Sequence, residues 1–457
     1  MPDNAHALAF DPWHPLPDPP AASYSLSLSM HISPYEYTNW RDETTSWKTT
    51  CYLHAGLNPT DTMVIRGRDV IDFLGYVTAT NMEHFEVGRI KHGLCVNEEG
   101  TVITDGVMMR TGEQEVTTYW MVPLLNYYID TKRAGDLDVS YELVTNDVFL
   151  FQIGGPASID VVEAACGESL RDLRHLRFRD AEICGHPVQV CRVGMAGTLA
   201  YEVHGAIQDA HEVYARLWEV GQPLGMRRLG SHCYPMNHAE NGFPQRKVHF
   251  LEPRTQVPGL MDYLGRTPGM EFQMMTCNEN GFVLDGSASA SIENYFHNPY
   301  EFGWGRMIHF DHDFIGREAL ERLATAAGTR RIVTYEWDAD DVADVYRSQF
   351  LGTDVEPYKY IEGPSDVDYW MGPDVHHDLV LDADGNVVGT SFGRQNACYF
   401  RRMISIGCVD PAFAEEGAEV YVLWGNPGQR QKRIRARIAR YPYNNVMRSS
   451  ATDVSQL

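Results

Sequence analysis

Asp105, Glu202 and Tyr234 are the residues whose type and setting could do chemistry. Glu202 closes the stretch Arg192-Val193-Gly194-Met195-Ala196-Gly197-Thr198-Leu199-Ala200-Tyr201-Glu202. A carboxylate after such a Gly-x-x-Gly turn can accept two N–H donors at once. The plainer alternative is a strand glutamate on a solvated edge. Asp105 sits beside Gly106, shortly after the apolar pair Val102-Ile103, where an aspartate is most often a turn residue. Tyr234 lies in Gly230-Ser231-His232-Cys233-Tyr234-Pro235-Met236-Asn237 and is one of 24 tyrosines, so packing is its default role. A tyrosine of ordinary pKa, ~10, is protonated at neutral pH and can donate to a departing oxygen.

Metal and phosphate chemistry find little footing. Neither G-x-x-x-x-G-K-[ST] nor H-E-x-x-H occurs. His84, His92, His309 and His312 are too scattered to suggest a metal site. The nine cysteines form no C-x-x-C, and an odd, dispersed set reads as reduced thiols in a cytoplasmic protein.

Elements must position these residues. The runs 62–66, 148–153, 188–192 and 200–203 predict strands. Residues 94–96 and 102–103 around Asn97–Gly100 predict one hairpin, and 107–109 with 116–122 around Thr111–Glu113 a second. Helices are expected over 68–75, 157–166 and 211–220. Another begins at Asn39 and sets Trp40 and Trp47, seven residues apart, on one face. Residues 243–280 mix Pro, Gly and charges and predict an irregular excursion over a site. Beyond Asp341 the pattern turns to short strands at 379–381, 386–390, 403–407, 419–424 and 433–438, a small all-β domain. Residues 1–23 read as an irregular arm and 449–457 as a frayed tail.

A chain of 457 residues calls for two or three domains. Its net charge of −24 repels phosphate backbones, which argues against nucleic acid or an anionic membrane as partner. No apolar run approaches the ~20 residues that span a bilayer, and the first residues lack a secretory signal pattern.

The string Asn294–Leu320, NYFHNPYEFGWGRMIHFDHDFIGREAL, resembles the family of folate-dependent one-carbon transferases that includes the aminomethyltransferase (T-protein) of glycine cleavage. Within it the chain looks closest to tetrahydrofolate-dependent aryl O-demethylases and methylenedioxyphenyl-cleaving enzymes. The resemblance implies an α+β fold of three domains with a C-terminal β-barrel or jelly-roll-like domain around a central folate channel. Residues 1–245 would be two interwoven α/β folate-binding domains, 246–335 a continuation over the site, and 336–457 the C-terminal β domain. It also implies tetrahydrofolate as cofactor. Glu202 would hold the aminopyrimidine edge of the pterin. Asp105 would orient the pterin or take a proton from its reactive nitrogen, and Tyr234 would be the acid. Arg192, Tyr201, His92, Tyr295, Tyr300 and Glu301 would lie near the cofactor. The loop Gly389–Asn396 resembles the family's C-terminal capping turn.

The departures concern the substrate. Where relatives acting on methoxybenzoates carry Tyr, Gln, His and Arg, this chain has Met30 or His31, Gly56, Pro59 and Met121. The family's arginine two places before the tyrosine is His232. No arginine stands to clamp a carboxylate, so the small aromatic substrate is expected to be uncharged, more apolar or bulkier. Trp120, Met121, Met30, Phe243 and His249 are candidate walls, each also readable as core. The implied reaction is one-carbon transfer from an aryl ether to tetrahydrofolate, of a methylene from a methylenedioxy bridge or a methyl from a methoxy group. An S- or N-methyl demethylase and a non-catalytic folate-binding protein are the alternatives.

Overall fold

A computed structural model describes residues 21–26, 32–194, 196–268, 270, 281–366 and 374–457. The chain divides into two compact units, one of Met1–Leu94, Thr104–Tyr234 and Val446–Leu457, the other of Cys95–Ile103 and Pro235–Asn445.

The first unit is built on a six-stranded sheet in the order Phe178–Ile183, His186–Cys191, Ala200–Ala206, Val148–Gly154, Tyr52–His54 and Arg227–Arg228. Its central strand reads Val-Phe-Leu-Phe-Gln-Ile-Gly, aromatic and β-branched as strands prefer. Because side chains alternate between faces, Phe149, Phe151 and Ile153 enter a core with Tyr201, Val203, Val190 and Leu53. The helices Ser158–Cys166 and Ala210–Gly221 cover that face, contributing Ile159, Val162, Val213 and Leu217. Leu150 and Gln152 therefore point the other way, and that face carries the polar residues described below. A second sheet runs Ile90–Val96, Val102–Gly112, Glu115–Tyr119, Thr62–Arg66 and Ser140–Leu143. Its first hairpin turns on Asn97, whose side chain accepts from the N–H groups of Glu99 and Thr101.

Trp40 and Trp47 do not share one helix. Trp40–Glu43 and Ser46–Thr49 are separate single turns. The hydroxyls of Thr45 and Ser46 donate to the carbonyls of Asp42 and Glu43, an alternative to helical continuation that Ser and Thr offer.

The second unit contains a closed barrel. Asp374–Leu381, Val387–Ala397, Arg402–Val409, Arg331–Trp337, Lys432–Ala439 and Glu419–Trp424 pair in that order, and the last pairs back onto the first. Closure removes free edges, and Val333, Trp337, Val380, Val422, Trp424 and Ile434 fill the core. The strand Arg331–Trp337 begins before the limits expected for the C-terminal β domain, and the helix Ala339–Ser348 lies across Asp341, where only short strands and turns were expected. Asp338 caps that helix by accepting from the N–H groups of Asp340 and Asp341. The stretch expected to be irregular holds a 3₁₀ turn at Arg254–Gln256 and a helix at Leu260–Arg266.

On this barrel the imidazole of His376 stands between two carboxylates, with Nδ1 2.8 Å from Asp285 and Nε2 2.8 Å from Asp378. Burial alone would depress its pKa, but Asp378, Asp366 and Asp285 outweigh burial and raise it to about 10. Protonated His376 contributes stability in full below pH ~6.5, and loses it as pH climbs toward about 10. His376→Gln is expected to lower stability by about 2 kcal/mol at pH 6.5. It should also flatten the decline of the thermal midpoint across that alkaline window, followed by circular dichroism.

Candidate functional site

The polar face of the six-stranded sheet carries a lateral row. Glu202 pairs across strands with Gln152, and Gln152 with His54, so the three side chains stand on one face. Gln152 Nε2 donates to Glu202 Oε1 at 3.0 Å, and Tyr52 Oη donates to Gln152 Oε1 at 2.8 Å. His204, two residues on, places Nε2 3.2 Å from Glu202 Oε2, while its Nδ1 lies 2.8 Å from Tyr119 Oη. The Glu202 side chain is 10% exposed. Each of its oxygens has one protein partner, and a carboxylate offers about four lone-pair sites. Capacity for a further pair of N–H donors remains on the carboxylate.

Tyr234 belongs to the same face. It lies on the helix Cys233–Asn241 and its ring stacks on His54, centroids 5.1 Å apart and planes 17° from parallel. It is 6% exposed and packs with Leu57, Ile90, Met109, Tyr119, Leu150 and Cys191. Val107 joins that cluster, and Asp105 is two residues from Val107 and four from Met109 on a regular stretch of strand. Asp105 therefore projects from the face that Val107 and Met109 present to Tyr234. Its Oδ2 lies 2.8 Å from His92 Nε2, and His92 shares a strand face with Ile90. Asp105, Glu202 and Tyr234 thus converge on the layer between the two sheets of the first unit.

The approach to Tyr234 is clasped from the N-terminal side. Ser231 and His232 donate their N–H groups to the carbonyls of Pro34 and Tyr35. His232 stacks on Tyr35 at 4.5 Å and its Nδ1 lies 2.6 Å from Glu36. That bond, above all, holds the Glu36 carboxyl below the usual range. Buried Glu43 accepts from the N–H groups of Tyr37, Thr38 and Gly230. Burial raises its pKa to about 7 against the pull of those three donors. Gly230 is required here, since a Cβ would stand 2.0 Å from the Tyr35 carbonyl oxygen.

The other expected site residues have the following surroundings. Tyr201 points to the opposite sheet face, into the apolar core. Arg192 donates to the carbonyls of Leu173, Ser449 and Thr452, tying residues 449–452, expected to fray, to the first unit. Met121 is fully buried against Gly93 and Gly106, beside Trp120, which takes φ +69°. Gly56 faces the His54 ring, and Pro59 follows a cis bond from Asn58. Met30 and His31 lie outside the described residues. In the second unit His249 is buried against Phe392 and Gly393, and Phe243 meets Trp304. Tyr295 stacks on His377 and donates to the Asp285 carbonyl. Tyr300 donates to the Leu320 carbonyl, and Glu301 accepts from the Asn298 N–H beside His297. Gly389-Thr390-Ser391-Phe392-Gly393 fits G-x-S-x-G. It runs within a barrel strand, with the Ser391 hydroxyl bonded to Ser405, and not at the strand-to-helix turn a nucleophile needs. Gln152, His54, His204 and Tyr119 were not anticipated. The available signal was a polar residue inside an otherwise apolar strand.

Among the described residues no group of three or more His, Cys, Asp or Glu side chains is placed to hold a metal ion. No described helix is long and apolar enough to cross a membrane.

The GCVT N-terminal domain matches residues 33–250. The chain is 40% identical over 441 residues to a sesamin methylene transferase from Sinomonas sp. (strain No.22), covering 95% of each chain. It is 30% identical to a syringate O-demethylase from Sphingobium sp. (strain NBRC 103272 / SYK-6), covering 92% of each. The crystal structure of the glycine cleavage system aminomethyltransferase T from Bartonella henselae superposes with a TM-score of 0.66 at 15% identity, over 95% of this chain and 98% of that one.

Proposed function

The chain belongs to the glycine cleavage T-protein (GCVT) family, and from that premise we propose that it transfers one carbon from an aryl ether to tetrahydrofolate. The carbon source is a methylenedioxyphenyl compound, opened to a catechol with formation of 5,10-methylene-tetrahydrofolate. The observation that carries this reading is the 40% identity, end to end, with a sesamin methylene transferase.

The site supports it in three ways. Glu202 keeps lone pairs open for the paired N–H edge of a pterin, so the residues present fit this cofactor. Met121, where carboxylate-binding relatives are expected to carry arginine, is apolar and buried, which suits an uncharged substrate. Tyr234 brings a hydroxyl to the layer that Glu202 and Asp105 face.

Tetrahydrofolate, when bound, supplies the nucleophilic nitrogens that accept the carbon. Glu202 holds the pterin by its N–H donors. Asp105, paired with His92, takes the proton that the attacking nitrogen loses. Tyr234 donates a proton or hydrogen bond to the aryl oxygen as its bond to carbon breaks, since an aryl oxide is a poor leaving group when attacked by an amine. Each C–O bond broken is matched by one C–N bond formed, with one proton leaving nitrogen and one arriving on oxygen. Opening a methylenedioxy bridge to a catechol takes two such exchanges. A proton lost from Asp105 to solvent and one regained by Tyr234 from solvent restore both side chains after each. Orientation of the two reactants supplies much of the acceleration.

The 30% identity to a syringate O-demethylase favours methyl transfer from a methoxy arene as the second reading. The two separate in one assay. With tetrahydrofolate and sesamin, liquid chromatography should show catechol and 5,10-methylene-tetrahydrofolate in equal amounts. Formation of 5-methyl-tetrahydrofolate from syringate alone would establish the second reading instead.

A further inference from the structure

We propose that His204 is the positioning residue for the cofactor-binding carboxylate of Glu202, and that Tyr119 fixes the single imidazole tautomer able to do so. The inference rests on the reading of Glu202 given above.

The proton inventory decides it. Gln152 is oriented by Tyr52, whose hydroxyl donates to Oε1, so Nε2 faces Glu202 and donates to its Oε1. Glu202 Oε2 has His204 Nε2 at 3.2 Å. An ionised carboxylate only accepts, so His204 must carry its proton on Nε2. A neutral imidazole then presents Nδ1 as an acceptor, and the group 2.8 Å from it is the Tyr119 hydroxyl, which donates. The Tyr119 ring meets the imidazole edge-on at 4.9 Å, so packing and hydrogen bond fix the same orientation. Burial, followed by the charges of Cys191 and Glu202, pushes the Tyr119 hydroxyl well above its ordinary pKa. It stays a donor through the alkaline range.

The carboxylate is therefore held from both sides, one oxygen by each neighbour. Glu202 and His204 are two apart on one strand and share its face, whereas Tyr119 comes from the other sheet. The residue that locks the tautomer is followed in the chain by Trp120 and Met121, the candidate walls of the substrate side.

The test uses three variants of the full chain. His204→Gln places an amide Nε2–H where the imidazole Nε2–H was, and His204→Leu removes the donor. Tetrahydrofolate binding measured by titration calorimetry should weaken tenfold or more in His204→Leu and no more than threefold in His204→Gln. At saturating folate, kcat should stay within threefold of the parent in both. A purely architectural role would instead lower kcat and thermal midpoint together in both variants. ¹⁵N shifts of His204 in the ligand-free protein should report the Nε2–H tautomer, and Tyr119→Phe should shift the population toward Nδ1–H. An Nδ1–H tautomer in the parent, or unweakened folate binding by His204→Leu, overturns the inference. A parent that shows the Nε2–H tautomer yet fails to bind tetrahydrofolate overturns the assignment of Glu202, and the hydrogen-bond geometry stands.

Discussion

Tyr234→Phe is expected to lower kcat for folate-dependent ether cleavage about 10³-fold, the middle of the range for a positioned general acid, with tetrahydrofolate affinity unchanged. The substitution removes one oxygen. The ring that stacks on His54 and packs with Leu57, Met109 and Leu150 is retained. Folding is therefore preserved, and a loss of rate reports the hydroxyl alone. The dependence on leaving group sharpens the result. Electron-withdrawing substituents on the arene stabilise the departing oxide, so the deficit of the variant should shrink as the leaving phenol becomes more acidic. A rate equal to the parent's on an unactivated aryl ether would remove Tyr234 from the mechanism. Single-turnover measurements distinguish this from slow product release.

The second large effect is expected at Glu202. Glu202→Gln should weaken tetrahydrofolate binding about 10²-fold, close to 3 kcal/mol, the scale of losing a charge-assisted contact and leaving donors unmatched. In the parent, Gln152 Nε2–H and His204 Nε2–H both point at the carboxylate. A glutamine amide has one oxygen, so it can satisfy one of these donors and must turn its own NH₂ toward the other. The same NH₂ also repels the N–H edge of the ligand. Calorimetric titration reads the loss directly, and an affinity within threefold of the parent's would mean that the ligand does not engage this carboxylate.

The parts of the fold legible in the sequence are those set by local pattern. The run Glu419–Trp424 forms a strand of those limits, because Glu-Val-Tyr-Val-Leu-Trp alternates and ends at Gly425. The Asn97–Gly100 hairpin follows from an Asn that satisfies its own turn and a Gly at φ +84°. The helix Ala339–Ser348 escaped notice although Val342, Val345 and Tyr346 recur at helical spacing and pack on the barrel core. Its acidic face is also held by ion pairs from Arg435 and Lys432 to Asp338, Asp341 and Asp344, partners roughly 90 residues away in the chain, and these lie beyond the reach of any local window. The site divides along the same line. Glu202 is marked by the glycine turn before it, and the family resemblance proposes its role. Gln152, His54, His204 and Tyr119 reach it through strand register and from four different strands, and register is fixed by tertiary pairing. The resemblance that placed Arg192 and Tyr201 near the cofactor could not say which way each side chain points. One strand step separates Tyr201 in the core from Glu202 on the open face.

Residues 446–457 belong to the same compact unit as residues 1–94, although Pro235–Asn445 intervene. The main chain of Leu199 donates to the Met447 carbonyl, Ser449 donates to the Gly197 carbonyl, and the Arg192 guanidinium holds the carbonyls of Ser449 and Thr452. The turn that leads into the Glu202 strand is therefore completed by chain that leaves the ribosome some 250 residues after it, at synthesis rates of roughly 5–20 residues per second. For tens of seconds the first unit exists with Gly197 and Arg192 lacking their final partners, so biosynthesis orders assembly: the turn before Glu202 gains its last hydrogen bonds only after the barrel strands have been made.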